Sequence, residues 1–361
     1  MRTSAAITIA LLCAPSSCLL KRFGAPRGYY SRDGLRPLDE IGAECGVPPP
    51  LRAPKWAWKA AWAVGKHALP VLHRWDDCAP SDTNVNLWVC WMKAIVGNSM
   101  FGIDDRRLAY DLLPSVTRKV VSRPLASLYP LLHHQNIALR VAYLDRQVRD
   151  ELAAAADTPT TVVVLGAGFD LRAMRLSDAH ETAADADSEA TRPSSTATTR
   201  WAEIDLPHVI EQRSRLLGRL ARRRPHLAPQ LDGLTQLPAN LSVAEEARAS
   251  LRAALRGGGD GVGSSSSPGT ANVVFVVEAL LIYLPPEDAA ALLRLCAEEA
   301  RAAGARTASL CFADRLPGVE GYDRDAADAL LADAGGFRLD AESWLPKPGL
   351  ARHMGVARLK L

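Results

Sequence analysis

Val162–Leu176 reads VVVLGAGFDLRAMRL. With Thr160 and Thr161 in front, its first part is a continuous β-branched apolar run, the pattern of a parallel strand buried on both faces. The run stops at Gly166-Ala167-Gly168, and helix-forming residues follow. A first glycine permits a tight turn, and a second lets the backbone approach a ligand closely. In open α/β sheets ligands bind beyond the carboxyl ends of the strands, where this loop lies. The two glycines alone do not name the ligand. A dinucleotide fingerprint needs a third small residue at position 171, where this chain has Leu171, and Asp170 would repel a pyrophosphate. A cationic ligand without phosphates suits such an acidic loop. S-adenosylmethionine, with an ammonium, a sulfonium and a carboxylate, meets that description. NAD, and a tight turn with no ligand, are the weaker alternatives.

Outward from this loop, strand and helix patterns alternate. Ala202–Leu206, Val273–Val277 and Ala308–Phe312 read as strands, with helices over Val209–Arg224 and Glu287–Ala303 between them. This alternation predicts a parallel, doubly wound sheet, with Phe337–Leu339 and Met354–Leu359 as a late antiparallel edge pair. Two carboxylates end strands. Asp205 follows Gly168 by 37 residues, and the spacing contracts to roughly 20, as expected of a ribose-binding acid, once the insert at 182–199 is set aside. A helix cap before Pro207 is the plainer role for it. Glu203 is expected on the face opposite Ile204. Glu278 ends an apolar strand and needs a partner there, which makes it a site candidate.

The rest of the chain frames this domain. Of 361 residues, 48% are hydrophobic and 23% charged, and the formal net charge is +3, which gives no global field for nucleic acid. Aromatic content of 6% argues against a base-stacking surface. Seven scattered cysteines with no CxxC pair exclude a disulfide scaffold and disfavour a metal site. Residues 1–32 are an acid-poor basic leader with an apolar stretch, pointing to an organelle (plastid or mitochondrion) or the secretory route, with the cytoplasm as the alternative. No membrane span is expected in the mature form. A Pro/Trp-rich arm covers 33–80, a helical segment 81–158, and the α/β domain 159–361, with low-complexity inserts at 182–199 and 257–270.

Together, LGAGFDLRAMRL, the EIDLP of Glu203–Pro207, the VVEALLIYLPPE of Val276–Glu287 and the upstream ALRVAYLDRQV of Ala138–Val148 resemble the leucine carboxyl methyltransferase-like family of S-adenosylmethionine-dependent methyltransferases. The resemblance runs in order from about Asp82 to Leu361. It implies a Rossmann-like class I methyltransferase fold: a seven-stranded, mostly parallel sheet with helices on both faces and an N-terminal helical lid. It also implies site residues. Arg140 and Lys93 would pair with the methionine carboxylate, and Gly166 and Gly168 would give backbone room around the methionine. Asp170 follows in the loop, Asp205 would hold the ribose, and Glu278 would lie beside the methionine amine. The adenine-contacting Asp-Leu pair of the family is here Asn240-Leu241, and Asn can bond an adenine amine through its carbonyl oxygen. Leu171 departs from the family's Thr.

The acceptor is a methyl-accepting substrate, a small molecule or a protein carboxylate. A carboxylate needs no base at neutral pH, whereas a hydroxyl favours one, with His133, His134 and His208 as candidates. No catalytic residue is named by the sequence. Arg172 and Arg175 read as solvated salt-bridge partners, with an acidic-substrate clamp as the alternative, and Arg213, Arg215, Arg219 and Arg222–Arg224 as a solvated basic face. A non-catalytic S-adenosylmethionine-binding protein is the main alternative to an O-methyltransferase, and an NAD-dependent oxidoreductase the lesser one.

Overall fold

A computed structural model describes Cys90, Lys93 and residues 108–115, 118, 131–155, 158–177, 199–256, 271–320, 323–347 and 352–361. The expected leader, the Pro/Trp-rich arm and nearly all of both low-complexity inserts lie outside these residues. The chain divides into two compact units, one of residues 1–142 with 215–223, the other of residues 143–214 with 224–361.

In the first unit, a helical turn at Leu108–Leu112 buries Leu108, Ala109 and Leu112. Arg223 donates to the carbonyl of Asp111 and, at 3.3 Å, to Ser115 Oγ. The expected helical stretch after Arg123 is realised as helix α1, Leu131–Ala154, whose latter part belongs to the second unit.

The second unit is a mixed sheet. β1 is Thr160–Leu165, β2 Thr199–Asp205, β3 Leu234–Pro238, β4 Asn272–Glu278 and β5 Thr307–Asp314. Three short or late strands follow, β6 Phe337–Leu339, β7 Leu345–Lys347 and β8 Arg352–Leu359. The order is β3-β2-β1-β4-β5-β8-β6, a seven-strand path with β7 added on β8. β1 to β5 are parallel, and β8 runs antiparallel to both β5 and β6. The late pair is therefore antiparallel as expected, but β8 is interior: it lies between β5 and β6 instead of at an edge. β3 and β7 are additions to the strands read from the sequence. LTQLP has only two strong apolar residues, and β3 is half-exposed along its length, so it carries no buried-strand signature.

Every residue of β1 is buried, and so are the first six of β4, as parallel strands covered on both faces must be. Val163, Leu165, Ile204, Phe275 and Val277 face a core shared with α4 (Ala244–Arg256), α5 (Pro286–Ala302) and α6 (Arg324–Gly335), through Leu251, Leu292, Cys296 and Leu331. Successive strand residues point to opposite faces. Glu203, next to Ile204, accordingly meets Arg213 on α3, Pro207–Arg223. α2, the short helix Arg172–Ser177, follows the glycine loop. Because β1 is flanked by β2 and β4, the chain order reverses at β1, and such a reversal opens a crevice at the strand ends.

Candidate functional site

The glycine loop is built onto the end of β2. Gly166 N–H donates to Ile204 O at 2.9 Å, and Gly168 N–H donates to Asp205 Oδ2 at 2.7 Å. Asp205 Oδ1 accepts the Leu206 N–H at 2.7 Å. Gly166 and Gly168 have φ of 64° and 50°, a region that disfavours side chains. A Cβ on Gly166 would stand 2.9 Å from Leu280 Cδ1, so the first glycine is required twice over, by backbone angle and by the neighbour. Burial pushes the Asp205 carboxyl above its ordinary value, partly offset by the two backbone N–H groups. Two N–H donors do not exhaust a carboxylate's roughly four lone-pair sites, so room for two ribose hydroxyls remains.

A buried charge cluster lies behind the loop. Arg172, 0% exposed, donates through Nε to Asp145 Oδ1 at 2.7 Å, through Nη1 to Asp170 Oδ2, and through Nη2 to Glu278 Oε2 at 3.0 Å. Arg175 adds a bond to Asp145 Oδ2 at 2.8 Å. Burial works against the Arg172 charge, but the carboxylates of Asp170, Asp145 and Glu278 outweigh it and hold the guanidinium above its ordinary value. Three carboxylates against two guanidiniums leave this group of five one negative charge in excess.

These contacts correct two expectations. Arg172 is fully buried and Arg175 half-buried, both paired with carboxylates that need cations. Arg213 is likewise fully buried, paired with Glu203 through Nε at 2.5 Å and Nη2, while Arg215 and Arg222 on the same helix are exposed as expected. Asp170 does not present a bare acidic loop: its carboxylate accepts from the Arg172 backbone N–H at 2.9 Å and from the Arg172 side chain.

The remaining candidates fall as follows. Asn240 Oδ1 accepts from Ser242 N–H at 3.1 Å and Ser242 Oγ at 2.8 Å. The oxygen expected to meet an adenine amine is thus already engaged in a local turn, the usual behaviour of Asn. Leu241 and Leu171 are both buried apolar residues, and the substitution at 171 fills core. Arg140 is buried on α1 and Lys93 is half-buried, both in the first unit. His208, the second residue of α3, is close enough to act electrostatically on Asp205, and its Nε2 is buried with no hydrogen-bond partner among the described residues. The side chains of His133 and His134 lie outside the described residues.

Sequence reasoning missed Asp145, the partnership of Glu203 with Arg213, and Asp314. Two of these left a signal. Asp145 sits four residues after Val141 and three before Val148, on the apolar stripe of α1, and Arg213 sits four after Val209 and three before Leu216. A charge in phase with a buried stripe is a charge that needs a buried partner.

The residues of the second unit suit S-adenosylmethionine. The charge group at the end of β4 gathers the carboxylates of Asp145, Asp170 and Glu278 around Arg172, and a cationic ligand suits such carboxylates better than a phosphate. Asp205 offers a carboxylate at the end of β2, bonded to the glycine loop. Among the described residues no group of His, Cys, Asp and Glu is arranged to hold a metal, and no helix is long and apolar enough to cross a membrane.

Residues 126–297 match the model of the leucine carboxyl methyltransferase family. No curated protein matches the chain. Among solved structures it is similar to LepI in complex with SAM, at 14% identity over 90% of this chain and 85% of that one, with a TM-score of 0.31. It is also similar to MtNAS in complex with MTA and tNA, at 13% identity over 99% and 98%, with a TM-score of 0.32. The S-adenosylmethionine-dependent methyltransferase SibL gives 15% over 92% and 80%, with a TM-score of 0.31. At such TM-scores these likenesses carry no argument, and the assignment rests on the family match and on the motifs it spans. Residues 126–297, which include the glycine loop, Asp205 and Glu278, are thus similar to the leucine carboxyl methyltransferase family, whose methyltransferases use S-adenosylmethionine.

Proposed function

We propose that this methyltransferase acts on oxygen, methylating a carboxylate or hydroxyl of a small molecule or of a protein C-terminus. The observation that supports the cofactor reading is the bond from Gly168 N–H to Asp205 Oδ2, which fastens a bare-backbone loop to the acid that would accept the ribose, at the crevice beside β1. S-adenosylmethionine supplies an activated methyl group on a sulfonium. The protein's part is alignment, which can contribute most of the acceleration of an in-line displacement. Asp205 would accept the ribose hydroxyls, and Glu278, with its charge shared by Arg172, would attract the ammonium. An ionised carboxylate acceptor needs no proton removed, whereas a hydroxyl acceptor favours a base, for which His208 at the start of α3 is a candidate.

The test uses S-adenosylmethionine labelled in its methyl group and a panel of carboxylic acids, phenols and C-terminal peptides. Label released as methanol by mild alkali marks an ester, and alkali-stable label marks an ether. Alkali-stable label on nitrogen or carbon acceptors alone would defeat the oxygen assignment.

A further inference from the structure

Asp314, the last residue of β5, is fully buried, yet it lies outside the set of groups that would touch the cofactor. Its Oδ2 accepts the N–H groups of Leu280 at 2.5 Å and Leu281 at 2.7 Å. Its Oδ1 accepts those of Ile282 at 3.2 Å and of its own neighbour Arg315 at 2.7 Å. Three successive amides of one turn thus converge on one carboxylate of the next strand. The turn is the one that follows Glu278.

Its conformation is not one the chain would take unaided. Ala279 has φ of 55°, the one non-glycine residue with positive φ among the described residues, in a region alanine seldom adopts. The last rung between β4 and β5, Ala279 N–H to Ala313 O at 3.2 Å, fixes the strand up to that point. Beyond it, Asp314 gathers the amides and the backbone reverses. The reversal sets Leu280 against Gly166: its Cβ, Cγ and Cδ1 all lie within 3.2 Å of where a Cβ on Gly166 would stand. On the other side of the strained residue, Glu278 meets Arg172 at 3.0 Å.

We infer that Asp314 is a positioning residue for the cofactor site. Its carboxylate holds the β4 turn so that Glu278 faces Arg172 and Leu280 closes over the glycine loop. The inference rests on the cofactor reading of that loop.

Asp314→Asn tests it. The amide keeps one acceptor oxygen and turns an NH₂ toward N–H donors, so the convergence breaks while the volume stays. The measurements are hydrogen exchange at the amides of Leu280–Ile282, S-adenosylmethionine affinity by calorimetry, and the split between KM for the cofactor and kcat. Faster exchange at those amides and an affinity loss of about tenfold or more, carried in KM, are expected. Asp323→Ala is the control: Asp323 also caps an amide, that of Ala326 at the start of α6, and its loss lowers the melting temperature without moving the affinity. Should Asp314→Asn fail to fold, Leu280→Ala decides, since it removes only the cover on Gly166 and is expected to weaken cofactor binding. A folded Asp314→Asn with wild-type affinity overturns the inference, as does Leu280→Ala with wild-type affinity. A wild-type chain that binds no S-adenosylmethionine overturns the cofactor reading itself, and this role with it.

Discussion

Arg213 spans two structures with one guanidinium. It holds both carboxylate oxygens of Glu203, and its Nη1 reaches the carbonyl of Gly168 at 3.3 Å. Glu203 is 1% exposed and Arg213 0%. Burial pushes the Glu203 carboxyl up, and the Arg213 guanidinium opposes that rise. Breaking a buried pair leaves an uncompensated charge, which costs about 3–5 kcal/mol, whereas replacing both partners by apolar residues is far less harmful. Arg213→Leu alone should therefore lower stability in urea denaturation by that amount, and the double change Glu203→Leu with Arg213→Leu by much less. Equal losses in the single and double variants would show that the pair does not act as a unit.

Arg172 is more exacting, since its three nitrogens meet three different carboxylates. A lysine carries the same charge on a single point and cannot reach all three. Arg172→Lys is expected to fold with reduced stability, by about 2 kcal/mol or more, and to bind S-adenosylmethionine less tightly because Glu278 and Asp170 lose their anchor. Thermal unfolding and calorimetry on the same sample check both effects.

Much of the fold around this loop was legible before the structure was known. VVVLGAG announced a buried strand and a bare loop, and spacing singled out Asp205. The ends of β1 and β4 followed from continuous apolar runs, which periodicity reads well, while β2 was read as a short strand over Ala202–Leu206. β3 was not legible because LTQLP is half-exposed and short. The partners of the buried charges were not legible either. Asp145 and Arg172 are 27 residues apart in sequence, and Glu278 is 106 from Arg172, so only the topology brings them together. Asn240 was read through its resemblance to an adenine contact, but a local bond to Ser242 claims its oxygen.

Gly166→Ala should fail for two reasons that add. The substituted residue would have to hold φ of 64°, at a cost of about 1–2 kcal/mol. Its Cβ would also press on Leu280. Cofactor affinity is expected to fall with stability. The pair Gly166→Ala with Leu280→Ala should relieve the contact and leave only the backbone cost, which a double-variant unfolding cycle separates.

Asp205 gives a pH dependence of definite sign. Burial raises its folded pKa above the ordinary aspartate value, so the protonated form is favoured in the folded chain. Its contribution to stability is fully present below the unfolded pKa and is lost as pH rises through the folded one. Cofactor binding runs the other way, because ribose hydroxyls need an ionised acceptor. Affinity should therefore weaken as pH falls through the raised value, at a higher pH than for an ordinary aspartate, and binding there should release a proton. Asp205→Asn should bind weakly with no such pH slope. Calorimetry in two buffers of different ionisation enthalpy reads the proton directly.

The central claim is that the crevice bounded by the glycine loop, Asp205 and Glu278 holds S-adenosylmethionine. Calorimetric titration of the chain, beginning near Arg32, with S-adenosylmethionine, S-adenosylhomocysteine and NAD tests it most directly. The account predicts binding of the first two at about micromolar Kd, sharply weakened by Asp205→Ala, and no binding of NAD. A folded protein that binds NAD, or that binds S-adenosylmethionine equally well with Asp205 replaced by alanine, would contradict it.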